Sequence, residues 1–148
     1  VSGASATAFP ATLGATAFRP EFIRGVDDRK ANEVEVLGLF AKGKNPRTYG
    51  TPEVVSAIVR NNGYQVRTNV PVTLTVAGAN TFTNTQTVAT LGIDSVATVN
   101  FANFSGTALG FNNMSASVPA DDVPANNSRA WVQEQTDSIY AYNDSSLS

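Results

Sequence analysis

The most constraining feature of this sequence is a long stretch, residues 68–120, in which Asp94 is the only charged residue. The stretch is rich in Thr, Asn, Val and Ala. Polar but uncharged side chains of this kind suit the outer faces of β-strands. They do not suit surface helices, which carry charged residues at helical spacing. This half of the chain is therefore predicted to consist of strands.

Short segments with alternating apolar residues recur along the whole chain and are separated by turn-forming residues. In Val66–Ala77, the apolar side chains from Val70 to Val76 share one face, whereas Thr73 and Thr75 point the other way. The predicted strands are Glu33–Phe40, Glu53–Arg60, Val66–Ala77, Thr81–Ala89, Ser95–Phe101, Leu109–Val118, Ser128–Gln135 and Ser138–Tyr142. Seven or eight short strands without a helical stretch predict an all-β fold, an immunoglobulin-like antiparallel β-sandwich with an extended N-terminal segment.

The apolar faces of these strands predict the core of the sandwich. The predicted core residues are Val36, Phe40, Val55, Ala57, Val59, Val72, Leu74, Val76, Val99, Phe101, Met114, Ala116, Val118 and Trp131. For Trp131, an exposed position is the alternative. Pro71 cannot donate to a strand ladder, so it predicts an edge position or a bulge. Asn61, Asn62 and Gly63 tolerate positive φ and predict a tight turn between two strands.

The composition argues against several classes of function. A net charge of −2 and a charged fraction of 15% exclude a general nucleic-acid binder, which needs a basic surface. No apolar run approaches the length that a membrane span needs. Histidine and cysteine are both absent, which removes the usual general base, the usual zinc ligands and any disulfide framework. An enzyme is therefore not expected, and no cofactor is predicted.

Carboxylates are the remaining candidates for chemistry. Glycoside hydrolysis would need two acids in a cleft. Glu33, Glu35 and Glu53 are strand residues with Arg and Lys nearby, so we expect them to be surface charges instead.

Calcium is the one metal that the sequence suggests. Asp121, Asp122, Asn126 and Asn127 offer hard oxygen ligands close together. The alternative is a hairpin end at which Asp and Asn side chains cap backbone groups.

The order of the segments resembles a known family. In sequence order they read EVEVLGLF, AKGKNPRTYGTP, VVSAIVRNNG, VPVTLTVAG, TQTVATLG, ATVNFANF and MSASVPADDVPANNS. The carrying motifs are an Asn-x-Gly turn (61–63), V-x-L-x-V (72–76), T-V-x-F (98–101) and acids followed by an Asn pair (121–127). They resemble the cell-adhesion-related (CARDB-like) immunoglobulin-like domain of large surface and secreted proteins of Bacteroidetes. This sequence departs from the family at Pro124 and Ala125, which replace an acidic residue before the Asn pair.

The resemblance covers about residues 33–135 and implies a non-enzymatic, extracellular or cell-surface adhesion module. We expect residues 1–32 to be a linker, the tail of a preceding domain or a donor strand. Residues 136–148 are expected to lead into a following module. The implied partners are neighbouring domains or identical subunits.

Two alternative functions follow from particular residues. In a filament assembled by strand donation from residues 1–18, the apolar side chains of Val1, Phe9, Leu13 and Phe18 would contact the next subunit. In a carbohydrate-binding sandwich, exposed aromatic side chains would bind cell-surface glycans.

Two serines match a modification pattern. Asp94-Ser95-Val96 and Asp137-Ser138-Ile139 resemble the short acceptor pattern for O-glycosylation of exported Bacteroidetes proteins. Ser95 and Ser138 are therefore candidate glycosylation sites.

Overall fold

The computed structural model describes residues 29–137. The chain divides after Lys30, and the fold below is that of the unit that begins at Ala31. Its strands are β1 (Val34–Phe40), β2 (Lys44–Pro46), β3 (Ser56–Asn61), β4 (Arg67–Gly78), β5 (Phe82–Leu91), β6 (Val96–Asn100), β7 (Gly110–Ser117) and β8 (Ser128–Thr136). A single 3₁₀ turn, Pro124–Asn126, precedes β8.

The strands form two sheets. One has three strands in the order β1-β3-β6, and the other has five in the order β2-β8-β7-β4-β5. All neighbouring strands are antiparallel except β2 and β8, which are parallel. The prediction of an all-β sandwich with seven or eight strands is confirmed. The predicted strand Ser138–Tyr142 and the extended N-terminal segment lie outside the described residues.

The core lies between the two sheets, where the alternating apolar side chains of both meet. In β4, Val72 and Leu74 are fully buried, whereas Thr75 is exposed on the opposite face. Every predicted core residue is buried except Phe40 and Trp131, which are 53% and 40% exposed.

Phe40 points outwards because β1 contains a bulge. The register with β3 shifts between Val36 and Gly38, so that Leu39 faces the core and Phe40 lies on the outer face opposite Ser56. The ring of Phe40 covers the backbone of Gly38.

Trp131 lies opposite the buried Met114 in β7, on the face that carries the core. It stays exposed because it lies in the first half of β8, whose first five residues are all exposed, whereas Gln133 and Gln135 further along the same face are buried. Its indole N–H donates to the carbonyl of Lys42 at 3.4 Å.

The tight hairpin turn with positive φ predicted at Asn61, Asn62 and Gly63 is wrong, although the Asn61 side chain accepts the N–H of Gly63 as in an Asx turn. The strands on either side of it, β3 and β4, belong to different sheets, so this segment crosses from one sheet to the other. None of the three residues is among those with positive φ in residues 29–137. The side chain of Asn61 is instead fully buried.

Two further features concern strand edges. The pairing of β4 with β7 begins at Thr73, so Pro71 lies where β4 pairs with β5 alone. This confirms the predicted edge position. The sequence did not predict β2, whose three residues lie in a segment of Gly, Pro and Asn that indicated a loop.

Candidate functional site

The predicted calcium ligands lie in the connection between β7 and β8, residues 118–127, which we call the β7–β8 loop. The carboxylate of Asp121 accepts the backbone N–H of Val34 at 2.7 Å. It also accepts the N–H of Val123 at 2.9 Å. Asp121 therefore fixes the loop to the start of β1, in the other sheet.

Asp122 makes a second connection to the segment before β1. Its carboxylate accepts the N–H of Asn32 at 2.9 Å, and its own N–H donates to the carbonyl of Asn32 at 3.1 Å. Both groups of this reciprocal pair lie at the protein surface.

Glu33 connects the β7–β8 loop with the segment that follows β3. Its carboxylate accepts the side-chain amides of Asn126 at 2.7 Å and Asn62 at 3.2 Å. Its carbonyl accepts the backbone N–H groups of Asn62 and Gly63. Glu33 is only 6% exposed, so the prediction of a surface charge is wrong for this residue.

The arrangement of the β7–β8 loop favours the capping alternative over a calcium site. Both carboxylates accept backbone N–H groups, and Asn127 donates its side-chain amide to the carbonyl of Pro119 at 3.1 Å. The described residues contain no group of three or more acidic side chains arranged to hold a metal ion. The buried amide oxygens of Asn126 and Asn127 accept no hydrogen bond from these residues.

Replacing Asp121 with alanine is expected to lower the free energy of unfolding by about 2 kcal/mol, since a charge-assisted acceptor of two backbone N–H groups is lost. Urea unfolding of the full chain measures the loss. The matched control is Asp122→Ala, at the surface, for which we expect a loss under about 1 kcal/mol. Equal losses in the two variants would contradict a specific role of Asp121 at the start of β1.

A second group of buried polar residues lies at the other end of β1. Glu53 is 4% exposed. Its carboxylate accepts the backbone N–H of Lys42 at 2.5 Å and the side-chain amide of Gln133 at 2.6 Å. Its backbone exchanges two hydrogen bonds with Phe104. The surface charge predicted for Glu53 is therefore also wrong.

The position of Glu53 in the strand pattern would have revealed its burial. Val55, Ala57 and Val59 are all buried, and Glu53 precedes them at the same spacing of two. Its side chain therefore points into the sandwich. Among the three predicted surface acids, only Glu35 faces outwards, where it lies 3.9 Å from Arg60.

Gln133, the side-chain partner of Glu53, is one of several buried side-chain amides in the five-stranded sheet. Gln133 and Gln135 of β8, Asn112 of β7 and Asn45 of β2 are at most 1% exposed. The amide of Asn112 donates to Gln133 and that of Asn45 donates to Gln135, both at 3.4 Å. Both oxygens of the Glu53 carboxylate already accept hydrogen bonds. We therefore interpret these buried polar residues as a group that holds neighbouring strands in position.

An open depression of about 340 Å³ lies beside Glu53. Its lining consists of Phe40, Ala41, Lys42, Glu53, Val54 and Ser56. The exposed ring of Phe40 and the exposed side chain of Val54 give it an apolar part. The depression is shallow and wide open to solvent.

Exposed aromatic side chains are distributed beyond this depression. Tyr49, Tyr64 and Phe111 are each more than half exposed, whereas Phe104 is buried with its ring 5.5 Å from that of Phe82.

The remaining predicted sites are divided between described and undescribed residues. Ser95 lies in the turn between β5 and β6, where its hydroxyl donates to the carbonyl of Gly92 at 2.7 Å. The residues outside the described part are Ser138, Val1, Phe9, Leu13 and Phe18. Strand donation and glycosylation of Ser138 therefore stay predictions from the sequence.

Comparison with known proteins finds a likeness of fold. The chain is similar to a solution NMR structure of a domain from a Methanosarcina acetivorans protein that is provisionally described as a cell surface protein, with a TM-score of 0.57 and 19% identity. The match covers 76% of this chain and 99% of that one. The sequence matches no family model, and no curated protein gives a significant match. The resemblance to the CARDB-like family therefore stays a prediction, and the likeness shows the fold alone. In residues 29–137 no helix has the length and apolarity to cross a membrane.

Proposed function

We propose that this chain is a non-enzymatic structural and adhesion module of an extracellular or cell-surface protein. The observation that carries the proposal is the two-sheet sandwich and its similarity in fold to a domain of a protein described as a surface protein. A sandwich of this kind is a common building unit of cell-surface proteins.

The path of the chain through the sandwich suits a spacer. The chain enters at β1, whose first residue is bonded to Asp121 in the β7–β8 loop. Strand β8 begins at the same loop and leaves at Thr136, which pairs with Pro46 in β2. A strand of nine residues spans about 30 Å. The start of β1 and the end of β8 therefore lie at opposite ends of the sandwich, as in proteins built from consecutive domains.

Both ends are fastened to the body of the sandwich. At the leaving end, the N–H of Arg47 donates to the carbonyl of Thr136 at 2.7 Å. The guanidinium of Arg47 lies 2.5 Å from the carboxylate of Asp137, and the hydroxyl of Thr48 donates to the Asp137 carbonyl. Such contacts support a module that keeps its shape when neighbouring segments pull on it.

The absence of an enzymatic role is part of the proposal. The sequence has no histidine to act as a general base, and the most buried acid, Glu53, has both oxygens hydrogen-bonded to amides. Hydrolase activity that disappears in Glu53→Gln would contradict the proposal.

Exposure on intact cells tests the proposed location. Cells that make the protein are treated with a protease that does not cross membranes, and the chain is followed with a specific antibody. We expect loss of the full-length signal without lysis. A signal that stays protected until the cells are lysed would overturn the extracellular assignment.

The depression beside Glu53 favours carbohydrate binding as a second candidate function. The ring of Phe40 could stack on a sugar, while the hydroxyl of Ser56 could bond to a sugar hydroxyl. A glycan array would test this function, with Phe40→Ala as the variant and Phe111→Ala, an exposed aromatic outside the depression, as the control. No binding to any glycan, or equal binding by both variants, would count against it.

A further inference from the structure

Strand β5 is an edge of the five-stranded sheet that residues 29–137 form. Among residues 29–137 it pairs only with β4, from Arg67 opposite Leu91 to Val76 opposite Phe82, without a register shift. Its ten residues include no charged residue, no proline and no glycine. An edge of this length and regularity presents a row of backbone groups that can pair with another strand.

The other edges of the sandwich carry the features that block such pairing. Strand β1 contains Glu35 and a bulge at Leu37. Strand β2 has three residues, among them Lys44 and Pro46. Strand β6 has only five residues. Charges, prolines, bulges and shortness are the usual protection of exposed edges, and β5 has none of them.

The side chains of β5 suit coverage by a further strand. On its outer face, Thr83, Thr85 and Thr87 are exposed. The residues between them, which face the core side, are only half-buried: Phe82, Asn84, Gln86 and Val88. The hydroxyls of Thr85 and its neighbour Thr73 in β4 lie 2.9 Å apart, so threonine pairs already join β5 to a strand on one side.

We propose that β5 pairs antiparallel with β5 of a second copy of this chain, which joins two five-stranded sheets across a two-fold axis. A second copy is the fitting occupant because both strands are uncharged, so no like charges face each other. Charged residues on an edge strand prevent it from pairing with the same strand of another copy. Strand β5 is long and carries no charged residue. A two-fold contact also closes on itself and leaves no further β5 edge exposed.

Successive side chains of β5 point to opposite faces of the sheet, and this restricts the register in which two β5 strands can pair. Residues opposite each other in an antiparallel pair lie on the same face of the sheet. With Gln86 on the two-fold axis, Thr85 lies opposite Thr87 of the second copy, which repeats the Thr73–Thr85 pairing. With Thr87 on the axis, Thr85 lies opposite Ala89 of the second copy. A shift by one residue between these registers would bring buried and exposed faces together.

A single strand pair buries a small area, so we expect weak association of isolated chains in solution. Copies that are tethered at a surface or joined in a string would pair much more strongly through their high effective concentration. This inference rests on the proposed surface function only in placing the copies close together at a surface or in a string. The pairing itself is tested in solution, so it can fail while the surface assignment stands, and the reverse.

The absence of cysteine makes a cross-linking test direct. Single cysteines replace Gln86 or Thr87 in the full chain, and Thr75 in the matched control. Thr75 is exposed on the same outer face, but in the central strand β4. After oxidation, we expect covalent dimers at least about tenfold more abundant from one β5 variant than from Thr75→Cys, because only an axial residue meets its own copy. Equal dimer yields from all three would mean random collision and would overturn the proposal.

The second experiment places a positive charge on β5. We expect Thr85→Lys, combined with the cysteine that cross-links, to reduce the dimer yield about tenfold, and Thr75→Lys to leave it unchanged. Sedimentation velocity should show concentration-dependent dimers that Thr85→Lys removes. Cross-linking that survives Thr85→Lys, or a monomer at every concentration, would overturn the proposal. Dimers that vanish only on removal of residues 1–18 would identify that segment as the partner and would also overturn it.

Discussion

Replacing Glu53 with alanine is expected to lower the free energy of unfolding by about 3 kcal/mol, since two hydrogen bonds to a buried carboxylate are lost and the Gln133 amide keeps only its bond to the Lys42 carbonyl. The donors are the backbone N–H of Lys42 and the side-chain amide of Gln133, which is fully buried. The larger part of the loss is expected from the Gln133 amide, because this side chain is fully buried. Urea unfolding of the full chain, followed by circular dichroism, measures it.

Glu35→Ala is the matched control for this prediction. Glu35 is an acid within β1 of the three-stranded sheet, but it faces outwards, and its partner Arg60 lies 3.9 Å away. We expect its loss to cost less than about 1 kcal/mol, as for other surface ion pairs. An unchanged stability of Glu53→Ala, or an equal loss in Glu35→Ala, would mean that burial of the Glu53 carboxylate is not what holds this end of the sandwich together.

The strand positions could be predicted from the sequence because alternation leaves a direct mark on it. Strand β4 shows this most clearly, since its apolar and threonine residues alternate and its inner side chains are the centre of the core. The end of β8 was predicted to within one residue, and the edge position of Pro71 follows from its missing N–H.

The predictions were wrong where the sequence was compatible with more than one local structure. Strand β1 has apolar residues on both faces, so its pattern cannot reveal a bulge, and the bulge decides whether Leu39 or Phe40 is buried. The burial of Glu53 was readable from its spacing to Val55, but the usual exposure of acids outweighed that signal. Sheet membership was hard to predict for strands whose hydrogen-bond partners are distant in sequence, as for β3 with β6 and β2 with β8.

The side chain of Asn61 ties the two sheets together, and its loss is expected to cost about 3 kcal/mol of unfolding free energy through three broken hydrogen bonds. The amide donates to the carbonyls of Gln65 at 2.8 Å and Leu91 at 3.0 Å, and its oxygen accepts the N–H of Gly63. Asn61 ends β3 in one sheet, whereas Leu91 ends β5 in the other. Urea unfolding of Asn61→Ala measures the loss, with the half-buried Asn62→Ala as the neighbouring control.

Two further variants separate this role from that of a turn residue. Asn61→Gly and Asn61→Asp would both be tolerated if the position only required an unusual backbone conformation, because Gly and Asp suit such turns. If the side chain ties the sheets, Asn61→Gly loses all three bonds. Asn61→Asp additionally places a carboxylate against the carbonyls of Gln65 and Leu91. We therefore expect Asn61→Asp to be at least as unstable as Asn61→Ala at neutral pH, and a stability equal to the unchanged chain would restore the turn interpretation.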